Sequence, residues 1–112
     1  MVKVMVTPSA IADAKGIFSY YEACFSHGFA QKLLKEFIAY ARRLEPMPEM
    51  GAKEMMLAHL KQNYRYVLVF RRYKLIYLFE DNVCSILMVW DCKRNSKDLK
   101  NSSRFDSQIL KS

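Results

Sequence analysis

The residues with chemistry to offer lie in the second half of the chain, and they are cations set among aromatics. Arg71 and Arg72 are adjacent, Lys74 sits between Tyr73 and Leu75, Tyr77 follows, and Trp90-Asp91-Cys92-Lys93-Arg94 closes the last apolar segment. Lysine and arginine at this density hold phosphate or carboxylate oxygens through charge-assisted hydrogen bonds. Arg71 and Arg72 read either as target contacts or as a solvated pair linking two strands. Lys74 alternates with its neighbours, which places it opposite Tyr73, Leu75 and Tyr77 and beside Ile76, where a lysine is more than surface decoration. Lys93 and Arg94, just past the last strand and next to Lys74 in a meander, are the strongest functional cations. Tyr73 and Tyr77 recur at the period of a packed pleated surface and are expected to be structural. Trp90 is expected beneath the helices, and Asp91 is expected to turn the chain or to pair with Arg65.

Other chemistries find little support. Cys24, Cys84 and Cys92 form no CxxC pair and have no histidine at metal-ligand spacing, so reduced, buried thiols are expected. His27 and His59 fall outside any HExxH pattern, and Gly16, Gly28 and Gly51 build no phosphate loop. Neither a metal nor a cofactor is implied. Met55-Met56-Leu57 reads as core or as partner surface. The net charge of +7 is lopsided: residues 61–112 carry 11 basic and 5 acidic side chains, whereas residues 1–60 carry 7 and 6. Such a field suits a polyanionic or acidic partner, and it also suits an ordinary solvated basic surface.

The elements that must position these groups follow from periodicity. At 112 residues, 52% apolar and 26% charged, the chain suffices for one domain with its own core. Its longest uncharged apolar runs are five residues, against roughly 20 for a membrane span, and the amino terminus has no signal-peptide pattern, so a cytoplasmic protein is expected. Val2, Val4 and Val6 alternate as a strand over 2–6. Thr7 and Pro8 then supply a helix cap and first turn, followed by Ile11, Ala14, Phe18, Tyr21 and Phe25 on one helical face. Ser26-His27-Gly28 interrupts, with Gly28 suited to a left-handed helix end, and Phe29, Leu33, Phe37, Tyr40 and Leu44 mark a second helix, making an antiparallel hairpin. Pro46 and Pro48 end it. The stretch to Asn63 is expected to be a packed loop, with a short helical turn within 53–60 as the alternative. Three strands follow, 64–70, 73–80 and 83–91, spaced as an antiparallel meander. Asp81-Asn82 is ordinary turn chemistry; Arg71-Arg72 is not, and a wider turn or bulge is expected there. On the strands, Leu68, Leu75, Phe79 and Leu87 are expected on one face and Val69, Ile76, Leu78, Ile86 and Met88 on the other. Helices cover only one, so the second needs the tail, the loop or a partner. The fold class is α+β, with the hairpin packed on one face of the sheet.

Thr7-Pro8-Ser9-Ala10, Leu44-Glu45-Pro46-Met47-Pro48-Glu49-Met50-Gly51, Tyr64-Arg65, Tyr73-Lys74-Leu75-Ile76-Tyr77, Glu80-Asp81 and Val89-Trp90-Asp91-Cys92-Lys93-Arg94-Asn95, in that order, resemble the RelE/ParE superfamily of type II toxins. The likeness covers residues 1–97 and implies one toxin domain there, with 98–112 a polar basic tail that is flexible when free. It further implies a growth-inhibiting bacterial toxin of the plasmid-stabilisation kind, held by a cognate antitoxin in a hetero-oligomer. RelE-like members cut mRNA on the ribosome with sheet-borne Lys and Arg and a tyrosine near the carboxyl terminus; ParE-like members inhibit DNA gyrase. Lys74 and Lys93 stand where the nuclease branch has basic residues, and with Arg94 they would be its catalytic groups. A lysine lacks the planar fork that grips phosphate. No tyrosine follows Tyr77, no histidine follows His59, and the tail offers Phe105 instead. Cleavage by 2′-hydroxyl attack draws on a base, an acid and a cation, of which the cation alone is evident. The ParE-like reading is therefore favoured, the ribosome-dependent endoribonuclease being the alternative.

Overall fold

Two hydroxyl caps start the helical hairpin. In the computed structural model, which describes residues 2–102, Thr7 Oγ1 accepts from the Ala10 N–H at 3.3 Å and opens helix α1, Pro8–Cys24, with the proline in the first turn. Ser26 Oγ accepts from the Phe29 N–H at 3.0 Å and opens α2, His27–Arg43. Gly28 is thus an ordinary residue inside α2, and no glycine among the described residues takes a positive φ. The serine wins because it satisfies an amide that the helix start leaves without a partner. Arg42 and Arg43 close α2 where cations complement the helix dipole.

The hairpin is preceded by strand β1, Lys3–Val6, and followed by β2, Ala52–Lys53, then β3, Tyr64–Val69, β4, Tyr73–Glu80, and β5, Val83–Asp91. They form one sheet in the order β1-β5-β4-β3-β2, with β1 parallel to β5 at the edge and every other pairing antiparallel. The segment expected to be a packed loop contains both β2 and a 3₁₀ turn, Met55–Leu57. Helix α3, Ser96–Lys100, runs across the boundary expected after residue 97, because Leu99 is fully buried. Residues 103–112 of the expected tail, Phe105 among them, lie outside the described residues.

Hairpin side chains Leu33, Phe37 and Leu44 pack on Val67, Val69, Tyr73, Leu75, Tyr77 and Ile86 of the sheet. The line of α1 facing the core is Ala10, which is buried, with Ala14, Ile17 and Tyr21 partly buried. Ile11 and Phe25, expected on that face, are exposed, the helix being rotated by about one residue from the sequence reading. The opposite face of the sheet is closed by the 3₁₀ turn and α3: Leu57 and Leu99 cover Tyr64, Ile76, Leu87, Met88 and Trp90. Trp90 is therefore not beneath the hairpin. The register jumps between Ile76↔Met88 and Tyr77↔Ile86, so Leu87 is an extra residue in β5. That bulge sends Ile86 to the helix face and both Leu87 and Met88 to the other, which strict alternation cannot do. Val69 likewise lies with Leu75 on the helix face, and Leu68 lies on the other, 41% exposed.

Two tight links complete the meander. Asp81 and Asn82 take φ of 52° and 64°, as a two-residue hairpin turn requires. Between Val69 and Tyr73 the link is three residues, wider as expected, yet Phe70 and Arg71 also take positive φ, 52° and 53°, and the Arg72 N–H donates to the Val69 carbonyl at 3.1 Å.

Candidate functional site

The β4–β5 register sets Tyr73 opposite Asp91 and Lys74 opposite Trp90, so Arg72, Lys74, Asp91, Lys93 and Arg94 gather at one end of the sheet with Arg71 on the adjoining turn. The pleat then divides them. On the helix side, Arg72 Nη2 and Asp91 Oδ2 form an ion pair at 3.2 Å, with Nε donating to Oδ1 at 3.3 Å. Asp91 also accepts from the Lys93 N–H at 2.9 Å, which turns the chain after β5. Its expected partner Arg65 is engaged elsewhere. Burial alone would raise the Asp91 carboxyl, but the Arg72 guanidinium and the Lys93 amide hold it below its ordinary 3.8. A cleft of about 440 Å³, lined among others by Asp13, Tyr20, Arg72, Asp91 and Arg94, opens between this end and α1. Asp13 Oδ2 accepts from the Val89 N–H at 3.0 Å, capping β5 beyond its last paired residue with β1, Ile86.

On the opposite face Lys74 is not a free cation. Its Nζ lies 2.8 Å from Glu54 Oε2, and the ammonium sits 4.3 Å from the centre of the Tyr66 ring. The Glu54 side chain is 2% exposed and that of Lys74 is 22% exposed. Glu54 Oε1 accepts from the Met56 N–H and caps the 3₁₀ turn. Sequence reading missed this carboxylate because it stands in an aperiodic segment 20 residues from its partner. Nothing local marks it except its place just before the apolar Met55-Met56-Leu57.

Tyr77 fixes the loop that delivers Glu54. Its hydroxyl donates to the Pro48 carbonyl at 2.8 Å and accepts from the Gly51 N–H at 3.0 Å, while Arg65 Nη1 donates to the Gly51 carbonyl at 2.8 Å. A Cβ on Gly51 would stand 2.7 Å from both the Tyr66 carbonyl and the Tyr77 hydroxyl, so only glycine lets the loop lie this close. Burial raises the Tyr77 phenol. Tyr73 donates to the Tyr21 hydroxyl at 3.0 Å, and burial together with that bond raises its phenol also. Both tyrosines remain protonated at neutral pH, with their hydroxyls hydrogen-bonded within the fold.

What remains for contact is Arg71, Lys93 and Arg94, all exposed, with Arg94 lying 4.4 Å over the Trp90 ring. A second feature is an apolar groove of about 520 Å³ between α1 as far as Ser19, the second half of α2 and the sheet, lined in part by Val6, Ile11, Phe18, Leu34 and Ile38. Of the three cysteines, Cys84 alone is buried; Cys24 and Cys92 are exposed. Among the described residues, no helix is long and apolar enough to cross a membrane.

Comparison with known proteins agrees with this fold. Residues 4–96 match the family model described as ParE toxin of type II toxin-antitoxin system, parDE. A solved structure of the chromosomal ParDE toxin-antitoxin system from P. aeruginosa superposes with a TM-score of 0.68 at 17% identity, over 81% of this chain and 96% of that one. At that identity the likeness is one of fold. No curated protein matches by sequence.

Proposed function

Because the chain belongs to the ParE toxin family of type II toxin-antitoxin systems, we propose that it arrests growth by inhibiting DNA gyrase in the cytoplasm, without cleaving RNA, and that a cognate antitoxin neutralises it. The Lys74–Glu54 pair carries this reading. A nuclease of the related branch needs a sheet-borne cation facing the scissile phosphate and a group to move the proton. Here Lys74, the lysine of β4 at this end of the sheet, is held by a buried carboxylate, and the phenols of Tyr73 and Tyr77 are tied to Tyr21 and Pro48. A protein that binds and blocks an enzyme requires only an exposed cationic and aromatic surface, which Arg71, Lys93 and Arg94 offer. The apolar groove beside α1 and α2 fits an amphipathic antitoxin segment, drawn in by the basic half of the chain and held by apolar contact. The test is supercoiling of relaxed plasmid by purified gyrase with toxin titrated in and antitoxin added back. Loss of supercoiling that antitoxin restores is expected; supercoiling untouched at toxin excess overturns the reading.

A further inference from the structure

The turn between the helices and the turn between β3 and β4 meet in a continuous cluster of rings. Tyr20 packs against Tyr21 at 5.2 Å, Tyr21 against Phe25 and Phe29 at 6.5 and 5.2 Å, Phe25 against Phe29 at 5.2 Å, and Phe29 against Phe70 at 6.4 Å. Phe25 is nevertheless 74% exposed, Tyr20 59% and Phe70 45%. Single exposed apolar side chains are ordinary, whereas a contiguous group of them marks an interaction surface. Backbone strain points to the same place. Phe70 and Arg71 hold left-handed φ, which bulky side chains adopt at a cost and which tends to persist where function needs it. The result of that strained turn is Phe70 seated on Phe29 and Arg71 in solvent.

Charge narrows the occupant. Glu22 is paired with His27, Asp91 with Arg72, and Asp13 accepts from the Val89 amide. Arg71 and Arg94 keep no carboxylate partner among the described residues. Tyr20 lines the same cleft as Arg72 and Arg94, so the rings and the guanidiniums form one surface. Aromatic side chains beside arginine are the composition of protein interface centres. The apolar groove proposed for the antitoxin is lined by α1 as far as Ser19 and by the second half of α2, and its lining includes neither Tyr20, Phe25 and Phe70 nor Arg71.

We infer that the ring cluster of Tyr20, Phe25 and Phe70, with Arg71 beside it, is the surface by which this toxin docks on its target, and that the occupant is an acidic protein surface with an apolar pocket. The inference rests on the gyrase reading only for the identity of that target. The test compares the full chain with Phe25→Ala and Arg71→Asn, the latter because asparagine tolerates left-handed φ. Induced growth arrest, inhibition of gyrase supercoiling, affinity for the co-expressed antitoxin and binding of a 20-residue oligothymidine are measured in parallel. The expectation is that both variants keep their thermal midpoint and antitoxin affinity, and that about tenfold more toxin is needed for arrest and for supercoiling inhibition. Undiminished arrest overturns the inference. So does loss of antitoxin affinity, which would assign the surface to the antitoxin, or oligothymidine binding lost with the variants, which would assign it to nucleic acid. If the unaltered toxin leaves gyrase untouched while both variants relieve arrest, the docking surface stands and the gyrase reading alone falls.

Discussion

Replacing Lys74 with alanine separates a structural lysine from a functional one. The substitution removes the ammonium 2.8 Å from Glu54 Oε2 and leaves a carboxylate whose side chain is only 2% exposed. Stranding a buried charge costs about 3–5 kcal/mol; the 22% exposure of Lys74 admits some solvent to its side of the pair and favours the lower end. A loss of about 3 kcal/mol in a domain of this size lowers the thermal midpoint by roughly 10–15 °C. Replacing both partners with apolar residues, Lys74→Met with Glu54→Leu, removes both charges together with the Glu54 cap on the Met56 amide, and should return stability to within about 2 kcal/mol of the unaltered protein. Lys93→Ala, at an exposed position, should change stability by about 0.5 kcal/mol or less. Urea unfolding followed by circular dichroism on the four proteins measures all three differences. A Lys74→Ala cost below about 1 kcal/mol, or a double variant no better than the single, would refute the argument that Lys74 is held by the fold.

Tyr77→Phe takes the hydroxyl from the Pro48 carbonyl and the Gly51 amide together and should cost about 1–3 kcal/mol in chemical denaturation. Gly51→Ala meets the Tyr66 carbonyl and Tyr77 hydroxyl at 2.7 Å; hydrogen exchange should show faster exchange at the Gly51 and Glu54 amides as the loop lifts. Asp91 is held below its ordinary 3.8, so its contribution is present above that value and is lost as pH falls through the lower folded value. Acid unfolding of Asp91→Asn should accordingly show a shallower fall in stability below about pH 4 than the unaltered protein.

Much of the architecture was legible because its signals are local. Thr7-Pro8 caps and starts α1, the spacing from Phe29 to Leu44 selects one face of α2, and β-branched and aromatic runs define the three long strands. The errors arise where one residue changes a phase or where a partner is distant. Leu87, the bulged residue, breaks the alternation that would assign faces by parity. Ser26 and Gly28 both suit a helix boundary, and only the amide it satisfies makes Ser26 the one used. Period 2 told that Lys74 faces away from Tyr73, but nothing along the chain told that α3 and the 3₁₀ turn, rather than the hairpin, would cover Trp90. Glu54, Asp13 and the gathering of Tyr20, Phe25 and Phe70 depend on contacts across the fold, and no spacing along the chain encodes them.

The most direct test of the central claim places two assays side by side on one preparation: plasmid supercoiling by gyrase, and primer extension on mRNA from translating ribosomes, each with unaltered toxin, Lys74→Met with Glu54→Leu, and Lys93→Ala. Inhibited supercoiling and intact mRNA are expected, with the paired-charge variant inhibiting as the unaltered toxin does. Cleavage at codon-defined positions that either variant abolishes, with supercoiling unaffected, would contradict it and make the sheet-end lysines the catalytic groups of an endoribonuclease.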